Sequence, residues 1–178
     1  ASSSIYTNSP TIAIGWAPIH IPNYEKRFYN DDQSVEMISN VSTISFDNAK
    51  IIIYIAGNPY SAPAVYIKKA SGNTTVTEGY HYLHRDYQGT ILAISDQLGN
   101  VEEQRHYDAW GNLVKLKQNG IDVETNSTLI LDRGYTGHEH FTQVGLIHMN
   151  GRMYDSKLHT FLSVDNNIQE PFNTQNYN

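Results

Sequence analysis

The chain has 178 residues, with 18 acidic side chains against 12 basic ones, a net charge of −6 and no cysteine. Disulfides and thiolate metal sites are therefore excluded, and the acidic balance argues against nucleic acid or an anionic membrane surface as a partner. No apolar run approaches the roughly 18 residues of a membrane-spanning helix, and the length suits a single modest core.

The first 25 residues hold three prolines and no clear periodicity, so they read as an arm, a linker or an irregular edge. They lack the basic and apolar regions of a signal peptide. The chain also starts at Ala1 without a methionine, which suggests a fragment or a processed product. Thirteen tyrosines and many Ile, Val and Thr residues favour strands. Arg27-Phe28-Tyr29 and residues 34–38 flank Asn30-Asp31-Asp32, a hairpin pattern. The apolar run 50–56 predicts a strand buried on both faces. Turn residues 57–63 interrupt it, and residues 64–68 return, giving a second hairpin. Ser71-Gly72-Asn73 marks the next turn. Residues 79–84, 90–95, 100–107 and 112–117 predict four more strands, and the polar stretch 118–128 predicts a loop.

Three turns repeat one signature: Asp86-Tyr-Gln-Gly89, Asp96-Gln-Leu-Gly99 and Asp108-Ala-Trp-Gly111. An aspartate at the first turn position accepts bonds from backbone N–H groups downstream. A glycine at the fourth takes positive φ cheaply. That suits a type I turn closed by a glycine bulge. Each interval holds about one short strand, so the pattern predicts a β-meander. One such turn is weak evidence; three in series are good evidence.

The same stretch carries a resemblance. The segment 99–113, with Tyr107-Asp108, Gly111 and Leu113, looks like one YD repeat. Tyr80 to Thr90, Arg133 to His140, Gly145 to Asp155 and Phe161 to Asp165 resemble successive parts of the RHS repeat-associated core domain, in family order. The chain thus resembles the RHS (YD-repeat) family of bacterial polymorphic toxins and is similar to Tc toxin C subunits. The resemblance implies an all-β fold: antiparallel hairpins forming part of a curved β-shell, with one short irregular or helical segment near 138–145. It implies a divergent repeat region over 1–78 and the core over 79–178. It also implies a secreted or cell-surface bacterial protein. Its partners would be the rest of a parent protein or a C-terminal effector, with self-association through open strand edges. The sequence departs from the family at Ser156, His159-Thr160 and Asn166, and it stops before the family's last segment. Asn150-Gly151 is a strong hairpin signal. The resemblance instead places residues 146–154 in one long strand, with the turn at 155–159, and that is the expectation adopted.

Three chemistries follow. In the related toxin subunits the core acts as an aspartyl autoprotease that releases the effector. By motif position Arg152 and Asp165 match its arginine and one aspartate, while the second aspartate is expected beyond residue 178. Such chemistry needs two carboxylates with separated pKa values. The plainer alternative pairs Arg152 with Asp155 on the strand surface and makes Asp165 a turn cap. His138, Glu139, His140 and His148 could suggest zinc, because alternate strand positions share a face. No third and fourth ligand is evident, so no metal and no cofactor is expected, and these side chains are expected to bond within a polar shell. Tyrosine-rich faces could serve adhesion or carbohydrate binding, though wall or core positions explain them as well. The leading expectation is structural: a shell fragment that helps to enclose and deliver an effector.

Overall fold

The computed structural model describes residues 25–40, 49–71 and 75–165. The first 24 residues, including the expected arm, lie outside them. The described residues are all-β. Thirteen strands run in chain order: β1 Glu25–Tyr29, β2 Val35–Asn40, β3 Ala49–Ile55, β4 Ala64–Ser71, β5 Thr75–Arg85, β6 Ile91–Asp96, β7 Val101–Tyr107, β8 Leu113–Gln118, β9 Ile121–Val123, β10 Glu139–Phe141, β11 Leu146–Met149, β12 Arg152–Asp155 and β13 Thr160–Phe161. Strands β1 to β9 form one sheet whose order follows the sequence, and β10 to β13 form a second. The chain divides into two compact units, residues 1–81 and 82–178.

In the first unit the expected hairpins form. β1 pairs with β2, placing Tyr29 opposite Glu36, and β3 pairs with β4, placing Tyr54 opposite Val65. Alternation then sorts the side chains. Ile38, Ile52, Tyr54, Val65 and Ile67 are buried. Glu36 is buried among them, and its carboxylate accepts bonds from Arg27 Nη1 at 2.9 Å, Tyr29 Oη at 3.1 Å and Tyr54 Oη at 2.9 Å. Three donors offset its desolvation. Strand β3 departs from expectation: it is not buried on both faces, because Ile53 and Ile55 are each 37% exposed. An antiparallel sheet need cover only one face, so a continuous apolar run does not require two-sided burial.

In the second unit the Asp-x-x-Gly turns are built alike. The carboxylate Oδ1 of Asp86 accepts the backbone N–H of Gln88 at 2.9 Å and of Thr90 at 2.8 Å. Asp96 does the same for Leu98 and Asn100, both at 2.8 Å, and Asp108 for Trp110 at 2.9 Å and Asn112 at 3.0 Å. Gly89, Gly99 and Gly111 take φ of 84°, 86° and 83°. Register shifts at Ile94/Ser95 and His106/Tyr107 mark the accompanying bulges.

Two other expectations change. The polar stretch 118–128 is not all loop: Asn119 and Gly120, at φ 50° and 79°, turn β8 into β9. Both residues have positive φ, the pattern of a type I′ turn. Residues 146–154 are not one strand: β11 and β12 pair with Ile147 opposite Tyr154, across a turn at Asn150-Gly151 where Asn150 has φ 59°. The local signal prevails because β10 and β13 flank this pair and make four short strands into one sheet. The turn at 155–159 is nevertheless present, with Asp155 Oδ1 accepting the N–H groups of Lys157 and Leu158 at 2.9 and 3.0 Å. The short helical segment expected near 138–145 is present: among the described residues it is a single 3-10 turn at Tyr135–Gly137, with β10 following it.

Gly111 tests this architecture. Its φ of 83° disfavours any side chain, and an added Cβ would lie well inside van der Waals contact with the Tyr135 ring. Gly111→Val is therefore expected to cost about 1–3 kcal/mol from backbone strain alone. Gly99→Val should cost less, because nothing lies within 4 Å of the Cβ position at Gly99. Chemical denaturation of the two variants checks this, and equal losses would show that the Tyr135 contact contributes nothing.

Candidate functional site

The two residues singled out by motif position are brought together. Arg152 begins β12, and Asp165 follows β13, which pairs with β12 through Tyr154 opposite Phe161. Arg152 Nη2 lies 3.1 Å from Asp165 Oδ2. Its guanidinium carbon sits 3.7 Å above the centroid of the Phe161 ring. A guanidinium held over an aromatic face gains cation–π attraction while its N–H groups remain free to meet an anion. Nη1 is buried and has no acceptor among the described residues. Arg152 is thus paired with Asp165 and not with Asp155, whose carboxylate caps the following turn. One carboxylate at an arginine can stay ionised beside it; general acid–base work would need a second titratable group at the same place.

A second polar cluster lies beneath β7. Glu103 and Arg105 are two residues apart on one strand, so both point to the same face. Both side chains are fully buried. Arg105 Nε donates to Glu103 Oε1 at 2.7 Å, and a second guanidinium nitrogen closes the fork on the same oxygen. The guanidinium also donates to the backbone carbonyls of Leu131, at 2.6 Å, and Arg133. The other Glu103 oxygen accepts the Ile130 N–H and the Gln118 amide, both at 3.0 Å. Gln118 in turn donates to the Thr128 carbonyl at 2.9 Å. The bonds to Thr128, Ile130, Leu131 and Arg133 hold the segment 128–133 against the sheet, with Leu129 and Leu131 buried.

The histidines bond within the protein fabric. His138 Nδ1 lies 2.8 Å from Thr136 Oγ1. His140 Nε2 accepts the Tyr135 backbone N–H at 2.9 Å, and its ring packs 5.5 Å from that of Tyr107. Burial, aided by the charges of Arg105 and His138, pushes the His140 pKa down to about 3. Burial and the nearby Arg133 lower that of His138 as well. Among the described residues no group of three or more acidic or imidazole side chains is placed to hold a metal. Of the aromatic residues, Tyr66 and Tyr80 pack at 5.0 Å, and Trp110 stacks on His159 at 4.4 Å and 13°. Sequence reasoning passed over Glu103 and Arg105. Their signal was present, because an acid and a base at i and i+2 of a strand otherwise rich in polar residues share one face.

A serial antiparallel meander with aspartate-glycine turns, followed by a small hairpin sheet, defines the class: a YD-repeat β-shell protein. The chain matches the teneurin YD-shell family over residues 22–178 and belongs to it. It is 32% identical over 85 residues to the tRNA nuclease WapA of Bacillus subtilis strain 168, and 31% identical over 85 residues to the tRNA(Glu)-specific nuclease WapA of Bacillus subtilis subsp. natto. Each match covers 48% of this chain and 3% of the relative, so this chain spans a small part of much longer proteins. In the crystal structure of the TcdB2-TccC3-Cdc42 complex, one chain superposes with a TM-score of 0.61 at 15% identity, over 87% of this chain and 7% of that one. That likeness is one of fold.

The buried pair sets the largest mutational contrast in the second unit. Glu103→Ala leaves the Arg105 charge buried and uncompensated, and is expected to cost about 3–5 kcal/mol. Asp122→Ala removes an exposed partner of Lys115 and Lys117, at 3.2 and 3.8 Å, and should cost under about 1 kcal/mol. Urea denaturation of both variants decides; similar losses would mean that the buried pair is not the stronger constraint.

Proposed function

We propose that this chain is a shell segment of a larger exported RHS-type protein, helping to enclose a C-terminal effector and deliver it. The observation that carries the reading is the strand series itself, nine strands in sequence order joined by repeated short turns, in a chain that matches the YD-shell family over nearly its whole length. Such a sheet extends by adding repeats at its ends, and walls are what serial repeats build. Residues 79–178 are assigned to the core domain and 1–78 to divergent repeats. The place of action is outside the producing cell or on its surface. In isolation the chain is expected to associate with itself through strand edges. Sedimentation should show a concentration-dependent average mass, and a clean monomer at all concentrations would count against it. Enclosure is tested on a full-length parent protein. Its C-terminal region should resist protease in the intact protein and be digested once the repeats are unfolded. Equal digestion in both states would refute enclosure.

A second reading is favoured by the Arg152–Asp165 pair at 3.1 Å. With a further carboxylate supplied from beyond Asn178, this arginine and aspartate would form part of an aspartyl autoprotease that frees the effector. The arginine would pair with Asp165, and the added carboxyl would complete the two-carboxylate site that such chemistry needs. The 178-residue chain should stay intact on incubation. A longer chain carrying the family's downstream segment should cleave near the end of the core. Asp165→Asn should abolish that cleavage, because an amide cannot exchange the proton, and Arg152→Ala should weaken or abolish it. Mass spectrometry reads the products. Equal cleavage in the wild type and Asp165→Asn would remove Asp165 from the mechanism.

A further inference from the structure

The segment from Arg133 to His140 connects the first sheet to the second, and one of its bonds ends on an imidazole. Gly134 accepts the Ile91 N–H at 3.1 Å, the Thr136 N–H donates to Thr90 Oγ1 at 3.1 Å, and Tyr135 Oη donates to the Ala109 carbonyl at 3.2 Å. These bonds seat the connector on the turns after β5 and β7. Within the bend Gly134 donates to the His138 carbonyl at 2.9 Å, Gly137 to Gly134 and His138 to Tyr135, both at 3.0 Å, and the Tyr135 N–H donates to His140 Nε2 at 2.9 Å, the backbone bond there that ends on an imidazole. An imidazole accepts at Nε2 only when neutral, with its proton on Nδ1. Thr136, a β-branched residue, is held in the left-handed region at φ 50°, a conformation that persists only where surrounding bonds impose it.

The charged groups facing His140 oppose a positive charge there, and the neutral Tyr107 hydroxyl is buried without a hydrogen-bond partner among the described residues. From β7 come the Arg105 guanidinium, already forked onto Glu103, and the Tyr107 ring. From the connector come His138 and the backbone donor of Tyr135; the Asp132 carbonyl is occupied by the His140 N–H at 2.7 Å. Glu139 is the next residue on β10, so alternation sends it to the opposite face, and His148 stands opposite Glu139 on β11. Gly134 leaves no slack, because an added Cβ would lie 3.0 Å from two atoms of the His140 ring. His140 is 8% exposed, so water cannot take over the solvation of a charge without local opening.

We infer that His140 is an acid-sensitive latch: its protonation turns the acceptor for Tyr135 into a donor and releases the strained connector from the turns after β5 and β7. Above the imidazole's ordinary range near pH 6.5 the latch is fully closed. The folded ring is depressed well below that value and the released ring is not, so the closed state loses ground continuously as pH falls from about 6.5 toward about 3. The device is independent of the shell and protease readings, since it requires neither an effector nor Asp165.

Hydrogen exchange on the 178-residue protein tests it. Protection factors of the Ile91, Tyr135 and Thr136 amides are compared at pH 7 and pH 5. Linkage to a free imidazole gives a fall of roughly 25-fold between them. The Ile52 amide, in the other unit, should change little. His140→Gln, which keeps an acceptor but cannot charge, should remove the fall, while His138→Asn should retain it. A fall of equal size in His140→Gln, or an equal fall at Ile52, would overturn the latch. Should His140→Gln not fold, ring NMR of the wild type still decides. A neutral His140 carrying its proton on Nδ1 down to about pH 4 supports the latch, and titration of the folded protein near pH 6.5 overturns it.

Discussion

The second unit depends on one buried ion pair. Glu103 and Arg105 sit side by side on β7, and between them they bond the backbone of Ile130, Leu131 and Arg133 in the segment 128–133. That segment has no ladder partner along most of its length, so its carbonyls and amides would otherwise be buried unsatisfied. A hydrophobic pair at these positions would bury as much area but could not meet those groups. The pair therefore acts less as an attraction between two charges than as a set of donors and acceptors for irregular backbone. The price is sensitivity, since either charge without the other is a buried ion. Glu36 plays a comparable part in the first unit, where three donors from two neighbouring strands and its own hairpin converge on one carboxylate.

The turns solve a different problem, that of register. A one-residue slip in a strand exchanges its two faces. In β6, β7 and β8 such a slip would expose Ile94, Leu116 and the Glu103–Arg105 pair. Each Asp-x-x-Gly turn pins its hairpin with two side-chain bonds and one glycine in the left-handed region, and the bulge beside it adds twist. Gly111 does more than turn the chain, because the Tyr135 ring occupies the space beside its Cα. The last Asp-x-x-Gly turn is thereby tied to the connector, and the connector to the second sheet.

The charged pair at Arg152 and the histidine cluster sit where regular pairing ends. The Arg152–Asp165 pair stands at the last short strands, and the histidine-rich bend stands where the chain leaves the first sheet for the second. Strands in the middle of a meander have their backbone groups satisfied and their side chains committed to two faces. Ends and connectors retain polar groups that must find partners through side chains, and those partners can titrate or exchange.

What the sequence determined by itself was local. Alternating strands, the three aspartate-glycine turns and the Asn150-Gly151 turn depend on φ preferences and side-chain-to-backbone bonds within four residues, and these are written in consecutive letters. The Asn150-Gly151 turn was legible on those terms, and the weight given to a family pattern of one long strand concealed it. The pairing of Arg152 with Asp165 followed from motif position but not its geometry over Phe161. Only the tertiary structure decided the rest. It showed that β3 is covered on one face, that Glu103 and Arg105 serve backbone some 26 to 28 residues away, and that His140 turns inward to accept from Tyr135. Those outcomes depend on which face of each strand the connector crosses. Burial and long-range hydrogen bonding are properties of that crossing, and no window of sequence contains it.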